Sequence, residues 1–165
     1  LFVCVLSSLS KFYIEIIIMM PTLQAIAIRK KSRAPMQEIQ QVEITVEAGL
    51  VPDFRGKPGK RQVTLLSAEA WQIVCDKLQA DLAWTTRRAN LLIAGYSFSA
   101  ADVGKILCIG EVQLLITVET DPCHRMDEQH AGLTHALTPD WRAGVCCRVI
   151  QGGTVRLGDK VHFLI

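Results

Sequence analysis

The sequence predicts a mainly β domain, either a barrel or a sandwich, with helical insertions. Three observations favour this class: many short apolar segments, glycine- and proline-rich turns between them, and one segment with helical periodicity. The chain has 165 residues, of which 50% are hydrophobic and 21% charged. This length and composition are typical of one globular domain with a sizeable core.

The first half of the chain supplies three predicted strands. Residues 22–28 (TLQAIAI) form a short apolar segment, and residues 39–50 alternate between apolar and polar side chains. Residues 51–61 are rich in proline, glycine and charge, which predicts a loop. A third short strand follows at residues 63–66.

The clearest helix is predicted over residues 68–80. Ser67 stands where an N-cap belongs, and Glu69 in the first turn complements the helix dipole. Apolar residues then recur at the i, i+3, i+4, i+7 spacing of one helix face. These residues are Trp71, Val74, Cys75 and Leu78. The Cys75 thiol is therefore expected in the core.

The second half returns to strands. Residues 88–95 predict one strand, and residues 103–120 predict two that are split at Gly110-Glu111. Residues 144–165 predict three more strands, separated by Gly-Gly and Gly-Asp turns. Cys108 falls within a strand and is expected in the core.

The first twenty residues are strongly apolar but are interrupted by Lys11 and Glu15. A charge near the centre opposes membrane insertion, so a membrane anchor is not the favoured interpretation. A basic start and a small-residue cleavage site, which a signal peptide needs, are not visible. We expect residues 1–20 to be an extension outside a domain that spans residues 21–165; a membrane anchor and a structured extension are the alternatives.

Several functional classes lose support from composition and motifs. The net charge of +2 and the lack of basic runs mixed with aromatics do not favour nucleic-acid binding. The patterns GxGxxG, GxxxxGK[ST], HExxH and GxSxG are missing. Six cysteines without a CxxC pair favour neither a disulfide scaffold nor structural zinc, and predict reduced thiols in a cytoplasmic protein.

The most reactive-looking thiol is Cys123, which follows Pro122 in a polar loop that continues into a short helix around residues 126–137. A nearby cation such as Arg125 favours the thiolate, which is the nucleophilic form. Three histidines at 124, 130 and 135 also allow a metal site, although their spacing matches no standard zinc pattern. A nucleophile, a metal ligand and an ordinary half-exposed cysteine all remain open at this stage.

Two adjacent pairs are weaker candidates. Cys146 and Cys147 stand side by side in a predicted strand, so one should face the core and the other a groove or solvent. Arg87 and Arg88 could bind an anion, because the planar guanidinium group donates two parallel hydrogen bonds. A solvated strand end is the alternative for the arginines.

Four blocks of this sequence stand in a characteristic order: 49-GLVPDF-54, 61-RQVTLL-66 with 88-RANL-91, Pro122-Cys123 after a strand opened by Gly110-Glu111, and the glycine-rich block from Gly144 to Val161. Together they resemble the MOSC domain, named for the C-terminal domain of molybdenum cofactor sulfurase, in its small stand-alone bacterial form. The resemblance implies a mainly β, barrel-like fold of the pyruvate-kinase β-barrel type, with one or two helices, over residues 21–165.

The resemblance also assigns roles. Cys123 would carry a persulfide or ligate the molybdenum of a molybdopterin cofactor, since a soft thiolate suits both tasks. Arg88 and Asn90 would hold the cofactor phosphate or shape its pocket, and Asp53 and Arg55 would lie near the same opening. The family's small members often have a second cysteine three residues before this thiol, where this chain has Thr120, so a two-cysteine relay within this loop is not expected.

Three functions follow as alternatives. The chain could pass sulfur from a separate cysteine desulfurase, since no pyridoxal phosphate is expected on this chain itself. It could be a molybdenum-dependent oxidoreductase that reduces N-hydroxylated compounds with an electron-transfer partner. It could also be a non-catalytic module that binds the cofactor. Enzymatic activity is therefore left open by the sequence.

Overall fold

The computed structural model describes residues 20–164, so the predicted extension at residues 1–20 lies outside the described residues except for Met20. Within the described part, the mainly β class is confirmed, with eleven strands, three short α-helices and three 3-10 helices. No helix between residues 20 and 164 has the length and apolar character needed to cross a membrane.

The strands and helices follow the chain in this order. The strands are β1 (Thr22–Ile28), β2 (Gln37–Ile39), β3 (Gln41–Thr45), β4 (Gly49–Val51), β5 (Val63–Ser67), β6 (Leu91–Ala94), β7 (Ile106–Ile109), β8 (Val112–Glu119), β9 (Val145–Gln151), β10 (Gly153–Arg156) and β11 (Val161–Phe163). The α-helices are α1 (Ala68–Leu78), α2 (Arg125–Gln129) and α3 (Leu133–Leu137). The 3-10 helices are Trp84–Arg87, Ala100–Asp102 and Pro139–Trp141.

The strands form one large and one small sheet. The large sheet has eight strands in the order β11-β7-β8-β9-β5-β6-β1-β2, and the small one has the order β10-β3-β4. Within these sheets only β5 and β6 pair in parallel. The large sheet curls so that β1 approaches β11. The Leu23 amide donates to the Asp159 carbonyl at 2.9 Å, and the Val161 amide donates to the Pro21 carbonyl at 2.8 Å. The fold is therefore barrel-like without a complete ring of paired strands.

Two predicted elements are subdivided in the structure. The single strand predicted over residues 39–50 is broken at Gln40 and again before Gly49, which has a positive φ of 63°. The helix predicted around residues 126–137 is two helices, because Gly132 takes a left-handed conformation between them. The described part thus has three α-helices rather than the one or two that were predicted.

The core has two parts. Side chains of the two sheets form the larger cluster, which includes Cys147. The smaller cluster lies beneath α1 and α3 and includes Cys75, as its helical spacing predicted. Cys108 is also buried, at 4% exposure. The helix α1 begins as predicted, because the Ser67 hydroxyl accepts a hydrogen bond from the Ala70 amide at 3.1 Å.

Candidate functional site

A cavity of about 530 Å³ lies where the loops that follow β1, β4 and β8 meet the 3-10 helix Trp84–Arg87. Its lining is strongly basic, because seven arginines face only three acidic residues. The arginines are Arg29, Arg33, Arg55, Arg61, Arg87, Arg88 and Arg125, and the acids are Asp53, Asp121 and Glu128. Two thiols, those of Cys123 and Cys146, belong to the same lining.

Cys123 is an exposed residue in the loop between β8 and α2. Its carbonyl oxygen accepts a hydrogen bond from the Met126 amide at 2.8 Å and another from the Thr134 hydroxyl at 3.1 Å. These bonds tie the backbone of Cys123 to both short helices. The loop therefore holds an accessible thiol at a defined place on the cavity wall.

Cys146 is the second thiol of the cavity, and it is only 2% exposed. It lies on β9 next to Cys147, and the alternation of the strand directs the two side chains to opposite faces. Cys147 is fully buried in the larger core, where burial raises the pKa of its thiol. The Thr120 hydroxyl lies 3.3 Å from the Cys146 sulfur. The sequence predicted that one of these two cysteines faces the core and the other a groove or solvent, but it did not indicate which of them faces the core.

Arg87 places a buried positive charge in the cavity wall. Its side chain is 6% exposed, and its Nε donates to the Ala143 carbonyl oxygen at 2.9 Å. Its Nη2 is buried and finds no hydrogen-bond partner within residues 20–164. Burial lowers the pKa of Arg87, whereas the charges of Cys146 and Cys123 act in the opposite direction. The guanidinium group therefore shares the cavity with both thiols, and its Nη2 is an N–H donor without a partner within the described residues.

Arg88 and Asn90, to which the resemblance gave the cofactor phosphate or the shape of its pocket, both line the cavity. Arg88 has a positive φ of 61° and donates from Nη2 to the Ala34 carbonyl oxygen at 2.8 Å. The Asn90 side chain accepts from the Thr64 amide at 3.2 Å and donates to the Ala27 carbonyl at 3.3 Å. Because both ends of its amide are engaged, this geometry favours a role for Asn90 in shaping the pocket.

Asp53 and Arg55 line the same cavity as Arg88 and Asn90. The Asp53 carboxylate accepts from the backbone amides of Arg29 at 2.7 Å and Arg55 at 3.0 Å, so it fastens the loop after β4 to the end of β1. Burial lowers the pKa of Arg29, and the nearby charges of Arg88 and Arg55 lower it further. Arg29, Arg55 and Arg88 line the same cavity, and like charges gathered in one place favour an anionic ligand.

The three histidines do not gather around Cys123. His130 contacts the carbonyl oxygen of its neighbour Ala131 at 3.0 Å through Nδ1. In the part of the chain that the structure describes, no three side chains of His, Cys, Asp or Glu are grouped to hold a metal ion. Within the described residues, the geometry therefore does not support a metal site formed by these histidines and Cys123.

Sequence reasoning gave no site role to three of the seven arginines in the lining. Arg29, Arg33 and Arg61 were not singled out, because each stands in a loop and the net charge of the chain is only +2. A usable signal was the local imbalance of residues 29–33 and 55–61, which hold eight lysines and arginines and no acid. Chemically, the assembled cavity can bind an anion beside a nucleophilic thiol.

Comparisons with known proteins agree with this fold. The family model described as the MOSC domain matches residues 43–162. The YUAD protein from Bacillus subtilis is 15% identical, has a TM-score of 0.76, and is matched over 87% of this chain and 95% of its own. YiiM from Geobacillus stearothermophilus is 14% identical with a TM-score of 0.70, covering 88% of this chain and 75% of its own. YiiM from Escherichia coli is 14% identical with a TM-score of 0.68, covering 87% and 70%. No curated protein sequence matches the chain significantly.

Proposed function

Because this chain belongs to the MOSC domain family, we propose that its basic cavity receives the phosphate-bearing molybdenum cofactor and that Cys123 delivers sulfur to it as a persulfide. The observation that supports this proposal best is the position of one exposed thiol on the wall of an arginine-lined cavity. A cofactor bound there would supply the metal centre that accepts sulfur.

The cavity lining fits an anionic cofactor. Seven arginines leave an excess of positive charge, and Arg87 keeps a buried donor without a partner. An unsatisfied buried donor costs about 1–3 kcal/mol, which a phosphate or another anionic group could relieve. Arg87 and Arg88 are the residues we propose to contact the anion. Asn90, two residues after Arg88, is tied to β5 through the Thr64 amide, and Asp53 fastens the loop that carries Arg55.

Loading sulfur onto Cys123 needs only its thiolate and a persulfide donor, whereas release of that sulfur as sulfide to a metal centre would also need a two-electron reductant such as an external thiol. The Cys123 thiolate attacks the outer sulfur of a donor persulfide, the donor's S–S bond breaks, and the donor thiolate leaves. A cysteine desulfurase is the proposed donor, acting as a separate protein. The five cysteines within residues 20–164 are free thiols. Free thiols support placing this chemistry in a reducing compartment such as the cytoplasm.

A second candidate function uses the same thiol differently. A soft thiolate at the wall of the cavity is also suited to ligate molybdenum. The protein would then reduce N-hydroxylated compounds with electrons from a partner, or store the cofactor without catalysis. Reductase turnover of the loaded protein separates these two roles, because only an enzyme consumes the electron donor.

The test is a comparison of the wild-type chain with Cys123→Ser, with Cys75→Ala as the matched control because Cys75 is buried away from the cavity. Protein purified from a host that makes molybdenum cofactor is analysed for molybdenum and pterin. Separate samples are incubated with cysteine and a cysteine desulfurase and then weighed by mass spectrometry. We expect a gain of one sulfur on Cys123 in the wild type and in Cys75→Ala, and none in Cys123→Ser. Equal sulfur and molybdenum loading in all three proteins would overturn the proposal.

A further inference from the structure

We propose that Cys146 is a second sulfur-handling thiol, which takes the sulfane sulfur from Cys123 and holds it inside the cavity. This inference rests on the proposed function, because it concerns sulfur that first arrives on Cys123. Neither the family blocks of the sequence nor the spacing of the cysteines indicated this role.

The first observation is the shared cavity. Cys123 and Cys146 both line it, although 22 intervening residues separate them in the chain. The loop with Cys123 is fastened to the strand with Cys146 through Thr120, whose hydroxyl lies 3.3 Å from the Cys146 sulfur. The Thr120 amide also donates to the Gly144 carbonyl at 2.9 Å, just before β9 begins. The loop and the strand therefore meet at the cavity wall.

The second observation is the buried guanidinium group of Arg87. It lines the same cavity, is 6% exposed, and has its Nη2 without a partner inside residues 20–164. Its Nε donates to the carbonyl oxygen of Ala143, three residues before Cys146, so the cation lies at the same end of β9 as that thiol. A cation in the wall of the cavity favours an anionic sulfur species there, such as the anion of a persulfide. An inert core cysteine such as Cys147 has no such neighbour in its apolar cluster.

The transfer step balances without an oxidant or a reductant. The Cys146 thiolate attacks the outer sulfur of the Cys123 persulfide and forms a new S–S bond. The bond between the Cys123 sulfur and the outer sulfur breaks, and Cys123 leaves as a thiolate with the electron pair. The outer sulfur and its proton move to Cys146, so no net oxidation occurs.

The two thiols differ in exposure, so the transfer would move the sulfur from an exposed position to a buried one. Cys123 is exposed and can meet a donor protein, whereas Cys146 is 2% exposed. Solvent thiols reach a buried persulfide more slowly than an exposed one, because attack needs access to the sulfur. We therefore describe Cys123 as the acceptor and Cys146 as the protected store.

The experiment follows sulfur through the wild-type chain over time. The reduced protein is exposed briefly to a cysteine desulfurase with cysteine, then alkylated at intervals and mapped by peptide mass spectrometry. We expect the extra sulfur on the Cys123 peptide first and on the Cys146 peptide later. In Cys123→Ser, labelling of Cys146 should fall at least tenfold, and in Cys146→Ser the sulfur should remain on Cys123. Cys75→Ala should behave like the wild type.

The outcomes separate this inference from the proposed function. Sulfur that loads on Cys123 in the wild type and never reaches Cys146 overturns the inference and leaves the proposed function standing. Equal labelling of Cys146 with and without Cys123 also overturns it. A wild-type chain that takes no sulfur on Cys123 overturns the proposed function itself. Because the time course uses the unaltered chain, a misfolded variant cannot obscure the result.

Discussion

The Nε of Arg87 donates a hydrogen bond to the carbonyl oxygen of Ala143 at 2.9 Å, and this bond holds a buried cation against the start of β9. Three residues further along the chain, Cys146 lines the same cavity. The bond fixes one side of the guanidinium group and leaves Nη2 as a buried donor. A cation held in this way is prearranged for an anion, because little side-chain entropy remains to be lost on binding.

Replacing Arg87 with methionine should lower the pterin and molybdenum content of the purified protein about tenfold or more. The reason is the loss of a charge-assisted hydrogen bond, which contributes roughly 1.5–3 kcal/mol. The matched control is Arg148→Met, since Arg148 is exposed on β9 and does not line the cavity. A folded Arg87→Met protein with the pterin and molybdenum content of wild type would contradict the proposed contact between Arg87 and the anion.

Replacing Gly144 with alanine should destabilise the protein by more than about 3 kcal/mol. Gly144 has a φ of 92°, and an added Cβ would lie 2.1 Å from the carbonyl oxygen of Leu65. Gly158 supplies a close control, because its φ is 87° but nothing lies within 4 Å of an added Cβ. Gly158→Ala should cost only about 1–2 kcal/mol of backbone strain. Urea denaturation measures the free energy of unfolding of both variants. Equal losses in Gly144→Ala and Gly158→Ala would show that the contact with Leu65 is unimportant.

Replacing Ser67 with alanine should cost about 1 kcal/mol, because α1 would lose its N-cap. The Ser67 hydroxyl accepts from the Ala70 amide at 3.1 Å and is buried, so water cannot replace it easily. For a protein of this size the change corresponds to a fall in Tm of roughly 2–4 °C. Ser97→Ala at an exposed position is the control. Circular dichroism monitors the thermal melting of both variants. Equal Tm values for Ser67→Ala and Ser97→Ala would refute the cap's contribution.

The buried carboxylate of Asp102 should make the protein less stable in acid. It is 1% exposed and accepts from Lys105 at 2.9 Å, from Tyr96 at 2.8 Å and from the Ser99 amide at 2.9 Å. Burial alone would raise the pKa of Asp102, but these hydrogen bonds outweigh it and lower the pKa. Since the folded-state pKa lies below the unfolded value of about 3.9, the stabilisation is present above that value and is lost as the pH falls through the folded pKa.

The variant Asp102→Asn tests this linkage. It should lose roughly 2 kcal/mol at pH 7, where the charge-assisted bonds are removed. Its unfolding free energy should then vary less than that of wild type as the pH falls below about 4. Asp81→Asn is the control, because Asp81 is exposed. A pH profile of Asp102→Asn parallel to the wild-type profile would contradict the assignment.

The regular elements were predictable because local pattern determines them. Residues 22–28 form a short apolar segment and β1 has those bounds, and the cap and apolar spacing that predict a helix from residue 68 correspond to α1. The helix ends at Leu78 rather than at residue 80, because Gln79 takes a left-handed conformation with φ of 49°. The break at Gly132 was missed for the same reason, since a backbone turn of one residue leaves a weak signal in hydrophobic periodicity.

The mainly β class, the MOSC resemblance and the candidacy of Cys123 could all be predicted from the amino-acid sequence, because strand periodicity and the motif blocks are local features. Tertiary structure alone decided that seven arginines share one cavity, that Cys146 rather than Cys147 faces it, and that Arg87 keeps a buried donor free within the described residues. The physical reason is that burial and electrostatic proximity depend on which strands pair. The pairing of β5 with β9, and of β8 with β9, joins residues that are far apart in the chain.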